Sequence, residues 1–435
     1  MRVDRSRLPA LGPERPFTFP EIRRQTLGSG LRVWTAEHRQ VPLVSVLVLL
    51  PVGAAADPAG RPGLAAITAD MLDEGCGDRS ALDVHEALGR IGAQLDTDVG
   101  YDATLIGLTT LGRFLDQGLE LVADMLIRPR LDQREFDRVR ELRLNRLLQL
   151  RDMPPALADR VFAQLLYRNH PYGHMPIGTE GALRALTLRD ITAFHRRAFR
   201  PADVTVVLAG DAPHETLADA AARAFGRWTE TPGETAFDDP LGAEPPAPPP
   251  NRLALVHRAG AAQSELRIGH VAESRKTPDY HALLVLNMVL GGQFVSRVNM
   301  NLREEKGYTY GARTSFEFRR GPGPFVLQVG VQTGATARAI EESIGELTRG
   351  YPRSFETAEQ IARAAAQLAL YDLPHDYFST FVPMVMALTP EDVTRAAATH
   401  LDPSRLLTVI VGDRERLTPS LASLEMGDAS EVAVG

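Results

Sequence analysis

Two stretches of this 435-residue chain are the same piece written twice. LTLRDITAFHRRAFRPADVTVVLAGD, from Leu186, aligns without gaps on LTPEDVTRAAATHLDPSRLLTVIVGD, from Leu388. Asp190 meets Asp392, Pro201 meets Pro403, and Gly210-Asp211 meets Gly412-Asp413, always 202 positions apart. Each copy reads as a helix, a turn and a buried strand, which implies two α+β units built on one plan. A chain this long also exceeds a single ordinary core. Between the copies, TPGETAFDDPLGAEPPAPPP places seven prolines in residues 231–250 and can form neither helix nor central strand. The expected organisation is residues 1–230, a linker over 231–250, and residues 251–435. Each unit should be an antiparallel or mixed sheet with helices packed on one face.

The rest of the pattern agrees with such a plan. Residues 18–56 carry two or three strands, with Gly28 and Gly30 at a turn and Val41 to Leu50 as a continuous buried strand. Helices are expected from Pro62 towards Gly75, over Ala81 to Ile91, through Leu115, Leu119, Val122 and Leu126, over Asp132 to Arg151, and around 155–168 and 187–199. Strands are expected at Gln94–Asp98, Thr104–Thr109 and Val204–Leu208. In the second unit a helix over 278–290, with Thr277 as N-cap and Pro278 first, takes the part of the helix opening at Pro62. Phe325–Gln332 and the helix carrying Ile340, Ile344 and Leu347 repeat Thr104–Thr109 and its following helix.

Composition excludes several classes. A formal charge of −7 gives no electrostatic reason for nucleic acid or an anionic membrane. Cys76, the single cysteine, rules out an internal disulfide and a cysteine-based zinc cage. No apolar run approaches the roughly 20 residues that span a bilayer. The N-terminus lacks a secretory signal pattern, so a cytoplasmic location is expected.

Residues 291–311, GGQFVSRVNMNLREEKGYTYG, carry the chemistry. Gly291-Gly292 suits a turn that glycine takes without strain, Ser296 to Lys306 is helix-compatible, and Gly307 sits where a left-handed cap belongs. A strand should follow, with Tyr308 and Tyr310 on one face just beyond Arg303. A guanidinium and a phenol held near each other can both donate to an anionic or carbonyl oxygen. A solvated helix face followed by core tyrosines fits the same residues.

This segment, the HPYGHMPIGT stretch at 170–179 and the duplicated architecture together resemble the insulinase/pitrilysin family of inverted-zincin metallopeptidases. The similarity covers nearly the whole chain and extends to subunits of mitochondrial processing peptidase. The resemblance implies that Arg303 and Tyr310 face a bound peptide and its developing oxyanion. An inverted zincin carries His-x-x-Glu-His on its first helix, two zinc ligands and a general base. Here the matching positions are Ala66, Ala69 and Asp70 within Ala66-Ile67-Thr68-Ala69-Asp70. The third ligand would fall near Asn145 or Arg146, and an arginine there repels a dication. Leu283, Leu286 and Asn287 at the equivalent helix of the second unit offer no replacement.

Other candidates give no second site. His85-Glu86 and His214-Glu215 lack a histidine four residues on and read as helix-surface or turn residues. His170 and His174 are separated by Pro171 and Gly173, which suits a structured loop beneath the first unit. Ser296, Thr309 and Cys76 have no evident base nearby. The expectation is a chain without its own metal or catalytic residues. It would be the substrate-binding member of a heterodimeric zinc endopeptidase, supplying Arg303 and Tyr310. The zinc and an intact His-x-x-Glu-His would come from a homologous partner. A structural scaffold or peptide-binding module is the alternative.

Overall fold

The computed structural model describes residues 19–229, 237, 247–249, 251–346, 366–374, 377–424 and 426–433. Most of the proline-rich segment and Leu347 lie outside that range.

The first half contributes β1 (Ile22–Thr26), β2 (Arg32–Glu37), β3 (Leu43–Leu50), a small hairpin β4 (Gly75–Cys76) and β5 (Arg79–Ser80), β6 (Gln94–Val99), β7 (Thr104–Leu111) and β8 (Thr205–Gly210). The second half contributes β9 (Leu253–His257), β10 (Gln263–Val271), β11 (Ala312–Phe316), β12 (Pro324–Gln332), β13 (Leu407–Gly412) and β14 (Ser430–Glu431). The two large sheets run β1-β2-β8-β3-β7-β6 and β14-β9-β13-β10-β12-β11. Position by position, β2 answers to β9, β8 to β13, β3 to β10, β7 to β12 and β6 to β11. The one parallel pair of the first sheet, β2 with β8, recurs as β9 with β13. The outer strand beside it differs: β1 is antiparallel to β2, whereas β14 comes from the chain's other end and is parallel to β9.

The helices of the first half are α1 (Leu64–Asp70), α2 (Ala81–Arg90), α3 (Leu115–Ile127), α4 (Gln133–Arg151), α5 (Pro154–Tyr167), α6 (Glu180–Ala185), α7 (Leu188–Ala198) and α8 (His214–Phe225). The periodicity located all but α6 and α8, which are short or alanine-rich. The repeated segments are copied down to their caps. Thr187 and Asp190 close a reciprocal capping box on α7, and Thr389 and Asp392 close the same box on helix Pro390–His400. In the second half α9 spans Tyr280–Asn287, starting past Thr277 and Pro278 with Asp279 as its N-cap. The helical run Tyr280–Glu305 is apolar enough to cross a bilayer by composition. It instead packs Leu283, Leu286, Leu290, Val298 and Leu302 into the second core.

Each half's own helices cover one face of its sheet, as expected. The other face is covered by a helix from the opposite half. α5 lays Leu157, Ala158, Val161, Phe162 and Leu166 against Val256, Val326, Val409 and Val411 of the second sheet. In return, Ala366, Leu368 and Tyr377 cover Trp34, Leu47, Leu49 and Val207 of the first. Leu166 and Leu368 stand 202 positions apart and do the same work on opposite sheets. This is why β3, β8 and β13 are continuous apolar runs: both of their faces are buried.

Candidate functional site

The cleft at residues 291–313 is built by backbone crowding. α9 runs on into a π-helical turn, Met288–Gly292, that presses against β11. A Cβ on Gly291 would lie 2.5–2.6 Å from Thr314 atoms. Glycine is therefore required for close approach, and neither Gly291 nor Gly292 has a positive φ. This corrects the expected turn. Gln293–Ser296 then bulges outward, leaving Phe294 74% and Val295 68% exposed. α10 (Arg297–Asn299) follows with Ser296 as N-cap and passes into a second π turn, Met300–Glu305. Such turns cluster at functional sites. Gly307 ends the run at φ +63, the left-handed cap expected from the sequence.

Asn299 fixes the geometry, and sequence reasoning missed it. Its amide nitrogen donates to the Gln293 carbonyl (3.0 Å), Ser296 Oγ (3.0 Å) and the Ala312 carbonyl (2.8 Å). Its Oδ1 accepts from the Ala312 N–H at 2.8 Å. With both backbone groups of Ala312 taken on that side, pairing with β12 begins only at Ala312↔Val329. Thr309 also turns the chain, its hydroxyl bonding both backbone groups of Gly311. The two tyrosines accordingly do not leave one strand face, as the period-two pattern suggested. Tyr308 is partly buried against the second core, whereas Tyr310 is 93% exposed.

Arg303 and Tyr310 nevertheless share a cleft of about 540 Å³ with Arg267, Arg313 and Pro155. The Arg303 guanidinium lies 3.4 Å from the Phe294 ring centroid. Its Nε donates to Glu304 (2.8 Å) and its Nη2 to the Phe294 carbonyl (3.1 Å). Phe294 therefore both stacks on the cation and holds it, leaving the Arg303 side chain 12% exposed. The Tyr310 hydroxyl has no hydrogen-bond partner among the described residues. Arg267, behind the cleft, is neutralised by Asp159 (2.5 Å) and Glu265 (2.6 Å). β11 is the outer strand of its sheet, so one backbone edge borders this cleft.

The corresponding edge of the first sheet, β6, borders a cleft of about 440 Å³ beside α1 and α4. Ala66 and Ala69 are buried in α1, and Asp70 alone looks outward. Asp70 accepts an ion-paired hydrogen bond from Arg143, which also donates to the Pro176 carbonyl at 3.4 Å. The facing cation is thus Arg143, which precedes Asn145 and Arg146 on the same helix. Asn145 is exposed, and Arg146 lines the same cleft. Glu74 pairs with Arg138, and burial with the nearby Glu74 raises the Asp73 carboxyl. Zinc does not fit this donor set: its one outward carboxylate is bound to a guanidinium, and a second arginine lines the cleft. Among the described residues no group of three or more His, Cys, Asp or Glu side chains could hold a metal ion.

The remaining candidates are structural. His174 bonds Asp57 at 3.1 Å, and Asp57 accepts from the N–H groups of Gly63 and Ala65 at the start of α1. His170 accepts from the Tyr172 N–H at 3.1 Å. These two do form the expected loop beneath α1. His85 is exposed near Asp73, as a helix-surface residue should be. His214 is instead buried, 2.8 Å from Thr35 Oγ1, because α8 docks its first turn against β2. Cys76 is buried in β4, not at a helix end, and burial pushes its thiol up to about 11. Ser296 accepts from Asn299, so it too has a structural partner.

Comparison with known proteins gives this geometry a context. Residues 32–180 match the family model for insulinase, peptidase family M16, and residues 185–365 match the model described as the peptidase M16 inactive domain. An uncharacterized zinc protease of Mycobacterium tuberculosis is 29% identical over 71% of this chain and 70% of its own. The probable mitochondrial-processing peptidase subunit beta of Schizosaccharomyces pombe is 23% identical over 63% of this chain and 59% of its own. Among solved structures, a peptidase M16 inactive domain from Pseudomonas fluorescens superposes with a TM-score of 0.82 at 23% identity, covering 90% of this chain and 98% of that one. A Helicobacter pylori protease gives 0.81 at 20% identity, covering 91% of this chain and 100% of that one. Those two likenesses establish the fold. With both halves matched in order by models of one family, the chain belongs to the insulinase family, peptidase family M16.

Proposed function

We propose that this chain is the non-catalytic, substrate-binding subunit of a heterodimeric zinc endopeptidase. The observation that carries the reading is the contrast between its clefts. At the family's metal position Asp70 is locked to Arg143, whereas at the other cleft Tyr310 presents an unengaged hydroxyl beside a sheet edge. An extended peptide added along a sheet edge would gain main-chain hydrogen bonds with little demand on its sequence. Arg303 would hold a peptide carbonyl or carboxylate, and Tyr310 would donate to the oxyanion that develops during cleavage. The zinc and general base belong to a homologous partner bearing His-x-x-Glu-His. Relatives named as zinc proteases and as a processing-peptidase subunit support this placement.

Two experiments test the reading. Affinity capture of the chain from its native lysate, followed by mass spectrometry, should recover one similar-sized chain with an intact His-x-x-Glu-His in near-equal amount. In that complex, Arg303→Ala and Tyr310→Phe should leave assembly intact and slow cleavage. Unchanged turnover in both variants, or recovery of an unrelated assembly, moves the weight to a scaffold or binding module.

A further inference from the structure

A third pocket, of about 340 Å³, lies where the end of α4, the middle of α5, the turn into α6 and the C-terminal tail meet. Arg151, Arg160, Gln164 and Thr179 supply its polar groups, and Leu147, Leu148, Val161 and Val432 make the rest apolar. Arg160 is half-buried and has no hydrogen-bond or ion-pair partner among the described residues. Burial and then the neighbouring Arg151 both weaken its hold on its proton. Two other covered guanidiniums are ion-paired, Arg267 with two carboxylates and Arg143 with Asp70. Here the one carboxylate on the wall, Glu180, is bound to Arg184 instead. A partly desolvated cation beside a like charge is unfavourable unless an anion completes it.

We propose that Arg151 and Arg160 anchor a peptide carboxylate, the C-terminal group of a peptide ending in apolar residues. Two guanidiniums can present planar forks to one planar carboxylate. The Thr179 hydroxyl accepts from the Ala182 N–H at 3.3 Å and keeps its own proton to donate. The leucine and valine floor receives the terminal side chain, which a bare inorganic anion would leave uncovered. The location suits a peptide as well. Arg151 follows Arg143 by two helical turns on α4, about 12 Å along the axis, or about four residues of extended chain. Ile177 lines the Asp70 cleft and Thr179 lines this pocket, so one short loop borders both. A peptide anchored here by its end therefore reaches the cleft beside β6. The site belongs to this chain alone and stands whether or not Arg303 and Tyr310 serve a partner.

Titration calorimetry on the intact chain tests this, with N-acetyl-leucyl-leucine, its C-terminal amide and inorganic phosphate as probes. The acid should bind at least about tenfold tighter than the amide, which lacks the charge, and than phosphate, which leaves the apolar floor uncovered. Arg160→Gln and Arg151→Gln should each weaken the acid at least about tenfold, while Arg90→Gln, on the exposed surface of α2, changes nothing. Without ligand, Arg160→Gln should melt no lower than the parent, because the charge it removes has no partner. Absence of binding, equal binding of acid and amide, or retention of affinity in both glutamine variants overturns the proposal. Phosphate binding as tight as the acid overturns the peptide assignment.

Discussion

The edges of β6 and β11 occupy the same place in two copies of one sheet, yet their clefts have gone opposite ways. Beside β6 the charged groups satisfy one another: Asp70 with Arg143, Glu74 with Arg138. Beside β11 the phenol of Tyr310 is unengaged and Arg303 is held by a loop that exposes Phe294 and Val295. Phe294 and Val295 form an adjacent, exposed apolar pair on that loop. One copy has been closed by pairing its charges. The other leaves the Tyr310 hydroxyl unengaged and exposes apolar area beside it.

The comparison breaks first at the level of turnover. In the heterodimer proposed above, Tyr310→Phe and Arg303→Ala should each lower the cleavage rate by about 10²–10³, the effect of losing one oxyanion donor. Asp70→Asn should leave the rate unchanged. An equal loss in all three would mean that both clefts serve the substrate.

A second test uses acid. His195 on α7 bonds the Leu126 carbonyl and stacks on Phe199, and burial lowers its pKa to about 4. Its counterpart in the second repeat is Ala397. The neutral ring is favoured in the fold, so its contribution is complete above the ordinary value near 6.5 and is lost as pH falls towards 4. Denaturant melts across that window should show about 2–3 kcal/mol less slope in His195→Gln. His270 and His281 in the second half are also lowered by burial, so a residual slope of the same sign should persist.

Gly291→Ala should destabilise by about 1–3 kcal/mol through collision with Thr314, measured by chemical denaturation. The smallest effect asks whether the repeats are equal. Thr187→Ala and Thr389→Ala each remove the same capping box and should cost about 1 kcal/mol apiece. A clear inequality would show that the two helices are held by different means despite their identical ends.

How far these regions could be read from sequence follows what each signal reports. The constant offset located the duplicated helix, turn and strand, and five of the six strands in each sheet repeat. It could not show the exchange of helices, because the apolar stripe of α5 states that one face is buried and not which sheet buries it. The motif brought Arg303 and Tyr310 to one cleft. It misjudged the tyrosines because Asn299, an ordinary polar residue in sequence, takes up the backbone that would have extended β11. Arg143 escaped for a similar reason: which of several arginines faces α1 depends on the rotation of α4. His214 was taken for a surface residue because nothing local reveals that Thr35 waits across β2.

The exchange of helices has the form of a domain swap carried out inside one chain. A single repeat would leave one face of its sheet bare. Two separate identical repeats could close both faces by lending each other a helix about a two-fold axis, a symmetric pairing open to any protein of this build. The five apolar side chains of α5 on the second sheet represent about 10 kcal/mol of burial as an upper figure. Severing the peptide chain between the repeats should therefore yield two fragments that stay clasped, and co-expressed halves should reassemble into the whole. The molecule then has the build of a dimer whose subunits can no longer part.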